Sequence, residues 1–204
     1  MSSCGSIYDL NNLTLVENPI EYQNPYFPLS VGNQWSYDIM KPDELGNMVF
    51  SGNLEFRVVD YSYKEFYLGD SLVNTLLFRI EGEMKDENGV DNFTQDSYAL
   101  KSKEGITFLL EPNEDKEVEV IRFVPQSPDY FHLFKEINTA SILNDNFISI
   151  NPLLQLVEKT PGTRVKTYYE KNIGLVKMVH DRYDKKRFSN IIENDYNIIE
   201  YQVK

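Results

Sequence analysis

Cysteine occurs once in this chain of 204 residues, at Cys4, so no intrachain disulfide can form and the compartment's redox state leaves no mark. Histidine occurs twice, as His132 and His180, far apart and outside any H-E-x-x-H or C-x-x-C context, which argues against a zinc site or a Cys-His nucleophile. The chain also lacks G-x-S-x-G, P-loop and G-x-G-x-x-G patterns, the common hydrolase, nucleotide and dinucleotide signals. No metal and no cofactor is expected. Apolar runs last only a few residues, far short of the about 20 that cross a bilayer as a helix. Cations are scarce: 20 Lys and Arg against 32 Asp and Glu give a net charge of −12. Such a surface repels phosphate backbones and anionic head groups, so nucleic acid is not an expected partner.

The abundance of acids brings its own difficulty. Glycoside hydrolysis needs two carboxylates across a cleft, and 32 acids in the sequence offer no means of choosing a pair. The acidic turns at 86–91 and 111–119 do not follow the twelve-residue calcium-loop pattern and read as solvated hairpin ends. The basic cluster at 181–187 reads as a charged hairpin turn.

Aromatic residues are plentiful, with 14 Tyr and 12 Phe, and 10 Gly and 9 Pro punctuate the chain at strand-and-turn intervals. The length suits one domain with a substantial core. Residues 1–23 carry Asn11-Asn12 and Asn18-Pro19 without sustained periodicity and read as a flexible leader, leaving 24–204 as a single β domain. Period-two alternation predicts strands at 33–40, 48–61, 72–84, 90–102, 106–111, 117–124, 164–170, 175–183 and 195–203, about nine in all, with 147–150 ambiguous. Gly52 inside the second marks a bulge or bend, and Asn88-Gly89 is a strong hairpin signal. Ser127-Pro128-Asp129 starts one short helix near 128–138, where Tyr130, Phe134 and Ile137 recur at helical spacing. The architecture predicted is mainly β, an antiparallel meander.

The most informative stretch is Y-F-P-L-S-V-G-N-Q-W-S-Y-D-I at 26–39. Pro28 holds Phe27 extended, while Gly32 and Asn33 tolerate positive φ, so the chain turns just before the only tryptophan. Trp35, Tyr37 and Ile39 then alternate with Gln34, Ser36 and Asp38, the period of a half-buried strand. Tyr26, Phe27, Leu29 and Val31 are expected to be buried beside Trp35, each contributing roughly 1.5 to 3 kcal/mol.

Two segments, Y-F-P-L-S-V-G-N-Q-W-S-Y at 26–37 and T-Y-Y-E-K-N-I-G-L-V-K at 167–177, resemble the opening and closing signatures of uncharacterised bacterial envelope proteins, often lipoproteins, of the TapB-like kind. The resemblance implies a single strongly curved antiparallel sheet, a half-barrel or open barrel, in the bacterial cell envelope on its periplasmic face or surface. It supplies no catalytic residue. Met1-Ser2-Ser3-Cys4 looks like the end of a lipoprotein signal, which makes Cys4 the candidate lipidation site and an N-terminal lipid anchor the one expected membrane contact.

Core packing is the first reading of the aromatic residues. The second is that Trp35, Tyr37, Phe56, Phe78, Phe108 and Tyr169 line an apolar groove on the concave side. The leading expectation is a non-enzymatic envelope lipoprotein binding a hydrophobic ligand or an envelope protein. A structural or assembly component without a ligand is the alternative, and a hydrolase is a third class.

Overall fold

The computed structural model describes residues 13–112, 118, 120–126, 138–144, 147–152, 163–184 and 189–204. They form one antiparallel sheet of eleven strands: β1 Gln34–Pro42, β2 Met48–Leu68, β3 Ser71–Asp86, β4 Asp91–Lys101, β5 Gly105–Leu109, β6 Val120–Pro125, β7 Asn138–Asn144, β8 Phe147–Pro152, β9 Thr163–Glu170, β10 Gly174–Asp184 and β11 Ser189–Gln202. The spatial order is β6-β5-β4-β3-β2-β1-β11-β10-β9-β8-β7. Two runs of consecutive hairpins therefore meet where β1 pairs with β11, and the two open edges are β6 and β7. The sheet curls into a half-barrel, so far that Arg122 on the edge strand β6 touches Tyr169 on β9 and Met178 on β10.

The single curved antiparallel sheet expected from the sequence is the observed fold. Eleven strands stand where alternation predicts about nine. The difference lies at 138–152, where N-T-A-S-I-L-N has too few apolar residues to show a period and F-I-S-I-N-P is short. Strand β2 also runs on to Leu68, because a register shift between Val58 and Asp60 changes the phase of its pattern. Of the short helix expected near 128–138, residues 128–137 lie outside the described residues, and Asn138 opens strand β7. Gly52 does sit at a bulge: the β1–β2 register shifts beside it, its φ is 143°, and an added Cβ would lie 2.1 Å from the Lys85 carbonyl oxygen. Asn88 and Gly89 turn β3 into β4, with the Asp86 carboxylate accepting from the Asn88 and Val90 amides.

The sheet has apolar side chains on both faces at its β2–β6 end. Tyr26, Phe27, Leu29, Trp35, Tyr37, Leu76, Phe78, Ile80, Phe108, Tyr169, Leu175 and Met178 belong to the inner core. Phe66, Leu68, Leu77, Leu100, Leu109, Val118 and Phe123 form a second core on the outer face, against which Leu13 and Leu15 pack. Residues 13–23, which the sequence assigns to a flexible leader, thus lie on the domain. Leu15 bridges to Ser102, the Thr14 amide donates to the Glu104 carboxylate at 2.8 Å, and the Tyr22 carbonyl accepts from Lys101 at 2.6 Å. Two apolar residues spaced by one are too weak a pattern to announce this from sequence.

Residues 24–33 pin the half-barrel at one end. The buried Asn24 side chain donates to the Val124 carbonyl of β6 and accepts from the Tyr26 and Phe27 amides. Across the barrel, the Asn172 amide in the β9–β10 turn donates to the Pro25 carbonyl at 2.7 Å. The Asn33 side chain donates to Pro28 and accepts the Lys204 amide, while its backbone and that of Gly32 pair with Val58. Tyr26, Phe27 and Leu29 are buried as expected; Val31 is exposed, because the turn that Gly32 permits faces it outward.

Trp35 is the keystone of this end. Its ring stacks on Phe27 with centroids 4.8 Å apart, and its indole nitrogen donates to the Ile173 carbonyl at 2.5 Å. Gly174, at φ 108°, lies directly beneath it, and a Cβ there would come within 3.0 Å of that nitrogen. The Tyr37 hydroxyl donates to the Leu175 carbonyl at 2.6 Å. The segments 26–37 and 167–177, far apart in sequence, are therefore two halves of one contact.

Two stability effects follow. Trp35→Ala is expected to cost about 3 to 5 kcal/mol, the range for deleting a fully buried aromatic ring, in a urea titration. Gly174→Ala is expected to cost about 1 to 3 kcal/mol through positive-φ strain and the displaced indole, whereas the same change at Gly46, where open space surrounds the site, should cost only the φ term. A tolerated Gly174→Ala would show that the close approach to Trp35 is not needed.

Candidate functional site

The concave face holds a small cleft. Phe27 and Leu175 belong to the pinned end, and Phe56, Ile80, Ser97, Phe108, Ile121 and Arg122 supply the rest of the lining from β2 to β6. Its volume is about 140 Å³. That is close to the size of an apolar void of about 150 Å³ that accommodates one benzene ring. Ile121 is exposed on the edge strand, so the cleft meets solvent there.

The six aromatic residues singled out from the sequence are brought together in or against one core, in two different roles. Trp35, Tyr37, Phe78 and Tyr169 are completely or almost completely buried and fill the interior beneath the cleft. Phe56 and Phe108 line it. Phe108 meets Phe27 edge-on at 5.1 Å between centroids, and Phe56 meets Tyr37 edge-on at 5.9 Å, so each lining ring is held by a ring of the filled core. Cys4 lies outside the described residues.

Arg122 is the residue sequence reasoning passes over. It stands two positions from the buried Val124 in V-I-R-F-V-P, and that spacing on a strand is the one available signal that it shares the inner face. Its guanidinium donates toward the Tyr169 hydroxyl at 3.4 Å and toward the Met178 sulfur at 3.6 Å. Both partners are neutral, and among the described residues no carboxylate pairs with it. The convex face differs. There Arg57 pairs with Glu55 at 2.7 Å, and Arg79 pairs with Asp60, Glu81 and Asp96 at 2.9 to 3.1 Å. These exposed pairs add little stability individually.

The charge of Arg122 is felt through the interior. His180, which lies against Tyr196 at 4.9 Å, is held below its ordinary value first by burial and then by the Arg122 charge. Burial raises the Tyr37 hydroxyl well above its usual value, Tyr169 adds to this, and Arg122 partly opposes it. His180 is thus a neutral imidazole at pH 7. His132 lies outside the described residues, and among the described residues no group of three His, Cys, Asp or Glu side chains is placed to hold a metal ion.

A buried cation, Lys101, has a different role. Its ammonium donates to the Tyr22 carbonyl and sits 4.4 Å from the centre of the Phe78 ring, tying the N-terminal segment to the inner core. Burial pushes its pKa down to about 8. The free-chain value is about 10.4, so between these limits the unfolded chain binds more protons than the folded one and stability rises with pH. An NMR titration should place the Lys101 midpoint near pH 8, with urea stability increasing from there toward pH 10; titration together with exposed lysines would contradict this.

No family model matches the chain, and no curated protein matches it. Two solved structures are similar to it. One is a candidate lipoprotein from Parabacteroides distasonis, 11% identical, with a TM-score of 0.47, covering 89% of this chain and 100% of its own. The other is a candidate exported protein with a YmcC-like fold from Bacteroides fragilis, 13% identical, with a TM-score of 0.47, covering 87% of this chain and 98% of its own.

Proposed function

We propose that this chain is a non-enzymatic binding protein of the bacterial cell envelope, anchored through lipid on Cys4, whose half-barrel holds a small apolar ligand on its concave face. The observation that carries the reading is the ring-sized cleft of about 140 Å³, walled by Phe56, Ile80, Phe108 and Leu175 and open at Ile121. A fully packed β domain has no need of it, since interiors close to crystal-like density leave few voids of such size. The anchor rests on the Ser2-Ser3-Cys4 junction. Stable attachment takes more than one acyl chain, each buried methylene contributing about 0.8 kcal/mol.

Toluene, a neutral one-ring probe, should shift the Phe56 and Phe108 ring resonances of the wild-type protein in NMR spectra, and Ser97→Phe, which places a ring in the cleft, should remove the shift without lowering the melting temperature. Equal shifts in both proteins would sink the ligand reading. For the anchor, mass spectrometry of the gene product from its native host should find Cys4 acylated; a free Cys4 thiol in the extracted protein would refute it.

One observation favours the assembly alternative. Leu45, Met48, Val49 and Phe50 are all exposed around the β1–β2 hairpin, an apolar tip of the kind that docks onto other proteins. Leu45→Glu with Phe50→Glu should abolish co-purification of an envelope protein if that reading holds, and leave probe binding as it was.

A further inference from the structure

We propose that the cleft is specific for an anionic ligand, a monocarboxylate carrying one ring-sized apolar group, with Arg122 receiving the carboxylate. The proposal deepens the ligand reading above and rests on it. Three observations support it. Arg122 lines the same cleft as Phe56, Ile80, Phe108 and Leu175, so a cation and an apolar wall are presented to one occupant. Among the described residues its guanidinium is paired only with the Tyr169 hydroxyl and the Met178 sulfur at 3.4 and 3.6 Å, both long contacts to neutral acceptors, and no described carboxylate neutralises it. In a chain with 32 acids against 20 cations, an inward-facing arginine without an acidic partner among the described residues stands apart from Arg57 and Arg79, each of which is paired.

The chemistry follows from the guanidinium. It is planar, permanently charged and presents its donors as a fork that matches the two oxygens of a carboxylate. Beside apolar walls that exclude water, a charge-assisted pair of this kind is stronger than at the surface. The size of the cleft sets the other half of the ligand: about 140 Å³ takes one ring or a short branched chain, and the opening at Ile121 lets a longer substituent leave toward solvent. The net charge of −12 opposes anion approach at long range, so the preference must come from close contact with Arg122.

The test compares 3-phenylpropionate with its neutral counterpart 3-phenylpropanol, by calorimetry and by NMR on the full chain. The acid is expected to bind at least tenfold tighter than the alcohol. Arg122→Gln is expected to abolish that preference while still binding the alcohol, which also reports that the cleft is intact. In the wild-type protein the Arg122 side-chain NH resonance should shift on adding the acid and not the alcohol, a readout independent of how well the variant folds. Equal affinity for acid and alcohol, or an unmoved Arg122 resonance with the acid bound, would overturn the anionic specificity and leave the apolar-ligand reading standing. Binding of neither compound would overturn both.

Discussion

The contact on which the rest of the fold depends is the Trp35 indole wedged between the Phe27 ring and the backbone at Gly174, its nitrogen bound to the Ile173 carbonyl. An open sheet curled this far has two edges and no covalent closure. Something must hold one side of the curve against the other, and here residues 24–33 do it, bonded to Val124 of β6 on one side and to Asn172 before β10 on the other. Burial of the rings supplies the energy. The hydrogen bonds of Trp35 and Tyr37 to Ile173 and Leu175 supply the register, because each buried donor would otherwise lie unpaired in a dry interior.

That arrangement explains why the half-barrel is filled at one end and hollow above it. Trp35, Tyr37, Phe78 and Tyr169 fill the interior, and Phe56, Ile80 and Phe108 line the cleft beside it. The cleft is what is left when curvature exceeds what the side chains can fill. Arg122 enters that space because β6, an edge strand among the described residues, curls inward over β9 and β10. A charge that would be paired on the convex face thereby becomes a polar group in an apolar enclosure, and such groups set the chemistry of a pocket.

Lys101 is buried and Arg122 half-buried, and among the described residues each meets neutral oxygens, sulfur or rings. Lys101 donates to the Tyr22 carbonyl, lies over the Phe78 face and holds the N-terminal segment in place. A guanidinium carries five donors, and among the described residues Arg122 makes two long contacts, both to neutral acceptors.

The sequence by itself determined the fold class. Alternation in β1 to β5 and β9 to β11, the Asn88-Gly89 hairpin and the Gly52 bulge all depend on period, φ and turn chemistry, which are local and can be read residue by residue. Strand β7 escaped because N-T-A-S-I-L-N has no period, and residues 13–23 escaped because their anchors, Ser102, Glu104 and Lys101, are distant in the chain. Only the tertiary structure decided which aromatic rings fill the core and which line the cleft. Tyr37 and Phe56 show the same strand pattern, yet Tyr37 lies under β10 and Phe56 lines the cleft. Curvature makes that difference, and curvature belongs to the sheet as a whole. It is also what carried Arg122, unremarkable in V-I-R-F-V-P, to within reach of Tyr169.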